Sequence, residues 1–146
     1  GLGDLWAFLQ QRGIQVDYTG VDILDPMVDA AQRQHPEARF VHADIFSSDP
    51  FGGQRFDVVF CSGALNLNLG NNREFLPVAV ARMLEFSREC VILNLLHRRS
   101  GPSDRTYFAH DPDDVRELLR DVPCRTRILD DYLPNDFTVI CRPLRS

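Results

Sequence analysis

Two aspartates and a pair of glycines are the residues of this chain whose types and spacing could do chemistry. Asp22 closes the short β-branched run Tyr18-Thr19-Gly20-Val21-Asp22, and a helix start, Asp25-Pro26, follows at once. In open α/β sheets ligands sit at the carboxyl ends of strands, where helix N-termini converge, so Asp22 is a candidate ligand contact. Asp44 ends a second strand-like run, Ala38 to Ala43. Upstream, Gly1-Leu2-Gly3-Asp4 opens directly into Leu5 to Arg12, where Leu5 and Leu9 stand at helical spacing and Gly13 is placed to end the helix. Glycines in such a turn let the backbone approach a ligand that any Cβ would hold off. The dinucleotide fingerprint needs a third glycine, but Trp6 stands in one register and Asp4 in the other, so neither fits NAD well.

The elements that must position these residues alternate between strand and helix. Ile14 to Val21 alternates apolar and polar residues and predicts a strand. Asp25 as N-cap with Pro26 at the first helical position predicts a helix, which His35-Pro36 stops. Ala38 to Ala43 predicts the next strand, and Phe56 to Cys61, almost wholly apolar, suits a parallel strand covered on both faces. Ser62 to Gly70 leaves it with small residues and amides, a composition suited to a pocket wall. A helix over Glu74 to Ser87 is expected to turn Phe75, Val78, Met83 and Phe86 inward, with Pro77 in its first turn or kinking it. Glu89 to Leu96 predicts a strand, His97 to Ala109 a mobile loop, and Asp111-Pro112 a helix running to Arg120. Thr126 to Tyr132 and Phe137 to Arg142, joined by four residues, predict an antiparallel hairpin.

Composition narrows the function. The net charge is −5 and no basic run exceeds His97-Arg98-Arg99, which argues against nucleic acid as partner. All 16 basic residues are arginine, so a Walker A loop and Schiff-base chemistry are excluded. Cys61, Cys90, Cys124 and Cys141 form no C-x-x-C pair, and the expectation is reduced, buried thiols in a cytoplasmic protein with no metal site. The apolar runs fall far short of the roughly 20 residues that cross a bilayer, so no membrane partner is expected.

This pattern resembles the class I S-adenosylmethionine-dependent methyltransferases over nearly the whole chain. Gly1-Leu2-Gly3-Asp4 looks like the second half of that family's glycine motif, with the first half and its strand expected before residue 1; Tyr18 to Asp22 resembles the second strand, Ala43-Asp44-Ile45-Phe46 the adenine-contact motif, and Phe56 to Asn66 the fourth strand with its substrate-side exit. The resemblance implies a doubly wound, mostly parallel Rossmann-like sheet ending in an antiparallel hairpin, a three-layer α/β sandwich forming a single domain over 1–146 that lacks its N-terminal strand. It implies S-adenosyl-L-methionine as cofactor, S-adenosyl-L-homocysteine as product, and a cofactor-binding set of Gly1, Gly3, Asp22, Ile23, Met27, Asp44, Ile45, Cys61 and Ser62.

The residues agree with that chemistry. Two ribose hydroxyls want a bidentate acceptor, and Asp22 lies 19 positions after Gly3, near the offset of about 20 for a ribose-binding acid. Asp44 can accept from the adenine amine while Ile45 offers the ring an apolar face. Methyl transfer from a sulfonium is driven mainly by alignment and desolvation, so no general base is obligatory. The (Asn/Asp)-Pro-Pro-(Tyr/Phe) element of amino-methylating nucleic-acid enzymes and the Pro-Cys nucleophile of cytosine C5 enzymes are both absent, since Cys61 follows Phe60 and precedes Ser62-Gly63-Ala64. A small-molecule acceptor is therefore expected, with Asn66 and Tyr107 as candidate substrate-side residues. The competing readings are a non-catalytic S-adenosylmethionine-binding or interaction domain and a nucleotide-dependent oxidoreductase.

Overall fold

The computed structural model describes residues 1–101 and 104–144. The chain divides into two compact units, Gly1–Gly52 and Gly53–Ser146.

In the first unit, helix α1 (Asp4–Gln11) is followed by strand β1 (Thr19–Asp22), helix α2 (Asp25–Gln34) and strand β2 (Arg39–His42). The strands pair in parallel, Thr19 with Arg39 through Asp22 with His42. The predicted strand from Ile14 is thus cut to its last part: four residues of β2 are all that β1 pairs with, and Ile14 and Val16 are exposed. Alternation alone cannot supply the ladder partners that make a strand. Asp25 is the first helical residue rather than the N-cap; Leu24 takes that place, and Pro26 is the second helical residue rather than the first.

The interior of this unit is aromatic. Trp6 packs on Tyr18 with ring centroids 5.6 Å apart, and Tyr18 meets Phe40 edge-on at 5.9 Å. Trp6, at the position where a dinucleotide fold needs glycine for close helix–strand packing, instead packs on Tyr18, the residue before β1. Gly3 and Gly20 make room for Phe40: a Cβ on Gly20 would lie 2.6 Å from its Cδ1, and one on Gly3 2.8 Å from its Cζ. Gly3 also has φ +85°, a region that residues with a Cβ rarely enter.

The second unit begins with β3 (Phe56–Ser62), then α3 (Asn72–Glu85), β4 (Ser87–Leu96), α4 (Pro112–Leu118), β5 (Cys124–Leu129) and β6 (Asp136–Pro143). Its sheet has the order β3-β4-β6-β5, with β3 and β4 parallel and β6 antiparallel to both its neighbours. The hairpin is therefore present, and β6 rather than β5 joins it to β4. Register puts Val91, Leu93 and Leu95 opposite Cys141, Val139 and Phe137 on one face, all with 0% exposure. Leu76, Ala79, Val80, Met83 and Leu84 of α3 and Pro112 and Val115 of α4 are the buried apolar helix residues of this unit. At about 25 cal/mol per Å² of apolar area removed from water, this layer is the main source of the unit's stability.

Helix α3 starts at Asn72, so Pro77 lies in its second turn, inside the helix. Met83 and Phe86 are buried as expected and Phe75 is half-buried, but Val78 is 58% exposed. Leu76, Val80 and Met83 define the inward stripe, and a residue two positions after Leu76 falls about 200° around the helix. Asp111 caps α4 as predicted, its Oδ1 accepting from the Asp113 amide at 2.9 Å. Of the expected loop 97–109, Pro102 and Ser103 lie outside the described residues, while Arg98–Ser100 form a 3-10 turn. Arg99 there donates to the carbonyls of Asp130, Leu133 and Pro134 at 2.9, 2.9 and 3.0 Å, tying the turn to the β5–β6 connection.

Candidate functional site

In the first unit the carboxyl ends of β1 and β2 bring the predicted acids to one end of the sheet. Asp22 pairs with His42, and the Ala43 amide donates to the Asp22 carbonyl at 3.0 Å, so Asp44 begins just beyond the paired residues. The Asp22 carboxylate accepts from the Leu24 amide at 2.9 Å through Oδ1 and from the Gly1 nitrogen through Oδ2. Partial burial opposes its ionisation, and the Leu24 and Ile23 amides favour the charged form. Each oxygen of an ionised carboxylate has two lone pairs, so both can accept a further hydrogen bond.

Asp44 closes its strand with an Asx turn, Oδ1 accepting from the Phe46 amide at 2.9 Å. Apolar surface adjoins both acids: Ile23 is 60% exposed, while Met27 and Ile45 are half-buried. An isoleucine this exposed between an acid and a helix start buries little surface in the fold, and it can cover an apolar ring.

Sequence reasoning passed over His42. Its Nε2 lies 3.0 Å from the Ile23 carbonyl and its Nδ1 3.6 Å from Asp25, so the ring holds the turn that carries Ile23. His42 is the exposed last residue of β2, a place shared by many solvated strand ends, and no local signal marks it.

In the second unit β3 delivers Cys61 and Ser62 to its own carboxyl end, and Gly63, at φ +87°, turns the chain into the short helix Ala64–Asn66. Burial pushes the Cys61 thiol up. Ser62 is exposed and paired in register with Asn94. Asn66 is buried, and its Oδ1 accepts from the Leu96 amide at 3.1 Å while its carbonyl accepts from Phe108 at 2.8 Å. Tyr107 is 46% exposed and bridges Leu67 through the backbone. Cys124 and Cys141, 17 positions apart in sequence, meet across β5 and β6, where the pair shares hydrogen bonds with Thr126 and the Cys124 thiol is lowered to about 6. Among the described residues no cluster of three or more His, Cys, Asp or Glu could hold a metal ion, and no helix is long and apolar enough to cross a membrane.

Comparison with known proteins extends this geometry. No curated protein matches the chain. Solved structures do: magnesium protoporphyrin IX methyltransferase from Synechocystis PCC 6803, crystallised with bound S-adenosylmethionine, is 21% identical, with a TM-score of 0.68 over 99% of this chain and 66% of its own. An O-methyltransferase family protein from Burkholderia thailandensis gives a TM-score of 0.74 at 15% identity, over 98% of this chain and 48% of its own. A TehB-like S-adenosylmethionine-dependent methyltransferase from Corynebacterium glutamicum gives 0.66 at 18%, over 99% and 76%. The chain thus spans two-thirds or less of the first and about half of the second. The fold is the Rossmann-like α/β fold of these enzymes. Residues 1–86, more than half the chain, match the family described as methyltransferase domain, and the chain belongs to the class I S-adenosylmethionine-dependent methyltransferases.

Proposed function

We propose that the protein transfers the methyl group of S-adenosylmethionine to a small-molecule acceptor, as one methyltransferase domain. The observation that carries this reading is the Asp22 carboxylate at the end of β1, held by the Leu24 amide beside a largely exposed Ile23. This donor set fits the cofactor: a carboxylate for two ribose hydroxyls, apolar side chains for the adenine ring, and a second acid, Asp44, for its amine. Neutral amides and carboxylates suffice because the cofactor carries no phosphate, which is consistent with a chain that has no lysine. When bound, the cofactor supplies an electrophilic methyl on a sulfonium.

The chain's own residues bind and orient. The Gly1 to Gly3 backbone allows close approach, Asp22 fixes the ribose, and Ile23, Met27 and Ile45 exclude water from the ring. Cys61 and Ser62 rest on the family resemblance for a cofactor role, and Asn66 and Tyr107 on their place beyond β3 for a substrate-side one. The acceptor named for one similar structure, magnesium protoporphyrin IX, supports a small molecule as the class.

Calorimetric titration with S-adenosylhomocysteine, with NADH as control, tests this. Asp22→Ala removes charge-assisted hydrogen bonds of about 1.5–3 kcal/mol, so affinity for S-adenosylhomocysteine should fall about 10- to 100-fold with an unchanged circular dichroism spectrum. Unchanged affinity, or binding of NADH alone, would overturn the reading. Cofactor binding without transfer from labelled cofactor to any of a broad acceptor panel would favour a non-catalytic binding domain.

A further inference from the structure

At the opposite end of the second unit's sheet from Ser62 there is a cavity of about 310 Å³ lined by Arg88, Glu89, Arg125, Arg142, Pro143 and Leu144. It lies at the amino end of β4, whereas Ser62 stands at the carboxyl end of the parallel strand β3. Arg125 and Arg142 are directly opposed in the β5–β6 register. Like charges at directly opposed sheet positions repel and destabilise the pairing. Among the described residues neither guanidinium has an ion pair or side-chain hydrogen bond, although the protein carries an excess of acids, 21 against 16 bases. Arg88 does have a counter-charge, Asp57 at 3.4 Å. Among the described residues that line it, Glu89 is the only acid, and they carry two more positive than negative charges.

We propose that this cavity is a binding site for a phosphate monoester, a small soluble molecule whose phosphoryl dianion is held between Arg125 and Arg142. Two uncompensated guanidinium forks match the charge and geometry of a phosphoryl group, which carries about −1.5 to −2 at neutral pH and can accept bidentate hydrogen bonds from each. A carboxylate supplies one charge and leaves one arginine facing the other. Pro143 and Leu144 give the organic part an apolar wall, and a cavity of this size is at the lower bound of small-molecule sites. The site is independent of the methyl-transfer reading, because every residue lining it belongs to β4, β5, β6 or the residue after β6.

Inorganic phosphate, phenyl phosphate and acetate, at matched ionic strength, test it on the whole chain. Both phosphates should raise the Tm and shift the Nε–H resonances of Arg125 and Arg142 in NMR, and acetate should do neither. Arg142→Gln should weaken phenyl phosphate binding at least tenfold, and it should raise the Tm in phosphate-free buffer because the cross-strand repulsion is gone. Arg142→Lys keeps the charge without the fork and should weaken binding without that gain in Tm. An equal response to acetate would reduce the effect to screening, and phenyl phosphate affinity unchanged in Arg142→Gln would remove the site.

Discussion

Replacing His110 by glutamine should make the protein less sensitive to mild acid, and the size of the effect follows from the ring's surroundings. His110 is 2% exposed, lies edge-on to Phe108 with centroids 4.8 Å apart, and is fixed by backbone hydrogen bonds to Leu96 and Arg98. Burial first, then the guanidiniums of Arg98 and Arg73, lower its pKa from 6.5 to about 4, against a smaller opposing effect of Asp114. The folded state therefore refuses a proton that the unfolded chain accepts. Stability from this group is complete above pH 6.5 and is lost progressively as pH falls from about 6.5 to about 4. That interval, at about 1.36 kcal/mol per pH unit, corresponds to roughly 3 kcal/mol. Carboxylates begin to titrate in the same range, so the measurement is a difference: urea unfolding of the native protein and of His110→Gln at a series of pH values from 7 to 4. The stability gap should change in the variant's favour by about 2–3 kcal/mol across the series. Parallel curves, or an imidazole resonance that titrates near 6.5 in the folded protein, would refute the reasoning.

Gly20→Ala should destabilise the first unit by about 1–3 kcal/mol through its clash with Phe40, and Phe40→Leu in the same chain should recover part of that in a double-mutant cycle. Asp111→Ala removes the acceptor for the Asp113 amide and should cost about 1 kcal/mol in urea unfolding. Arg99→Lys keeps the charge but cannot reach three carbonyls with one fork, so amide hydrogen exchange in the β5–β6 connection should accelerate while the buried amides of β4 stay protected.

Much of this architecture was legible from local signals, and the failures share a cause. The strand at Phe56 to Cys61, the two proline-led helices and the hairpin each state their presence within a few residues, and the structure contains them, but the hairpin connection is 130–135 rather than four residues, and Val58 and Phe60 are 49% and 44% exposed rather than covered on both faces. Asp22 and Asp44 were readable as strand ends because an acid closing an apolar run is itself a local pattern. What escaped depends on pairing between distant segments. The extent of β1 is set by β2, Val78 faces out because Leu76 and Val80 face in, and Cys124 meets Cys141 only because β5 and β6 align Thr126 with Cys141. The opposition of Arg125 and Arg142 is of the same kind: each is an ordinary exposed arginine until the register places them face to face.

Asn66 has a consequence for motion. Its side chain holds the end of β4 at Leu96, its amide closes the turn on the Gly63 carbonyl, and its own carbonyl holds Phe108. Three stretches far apart in sequence are latched by one buried residue, so none of them opens alone. The amides of Leu96, Asn66 and Phe108 should exchange with solvent as a single cooperative event with one opening free energy, and a ligand that secures any one of these stretches slows the breathing of all three.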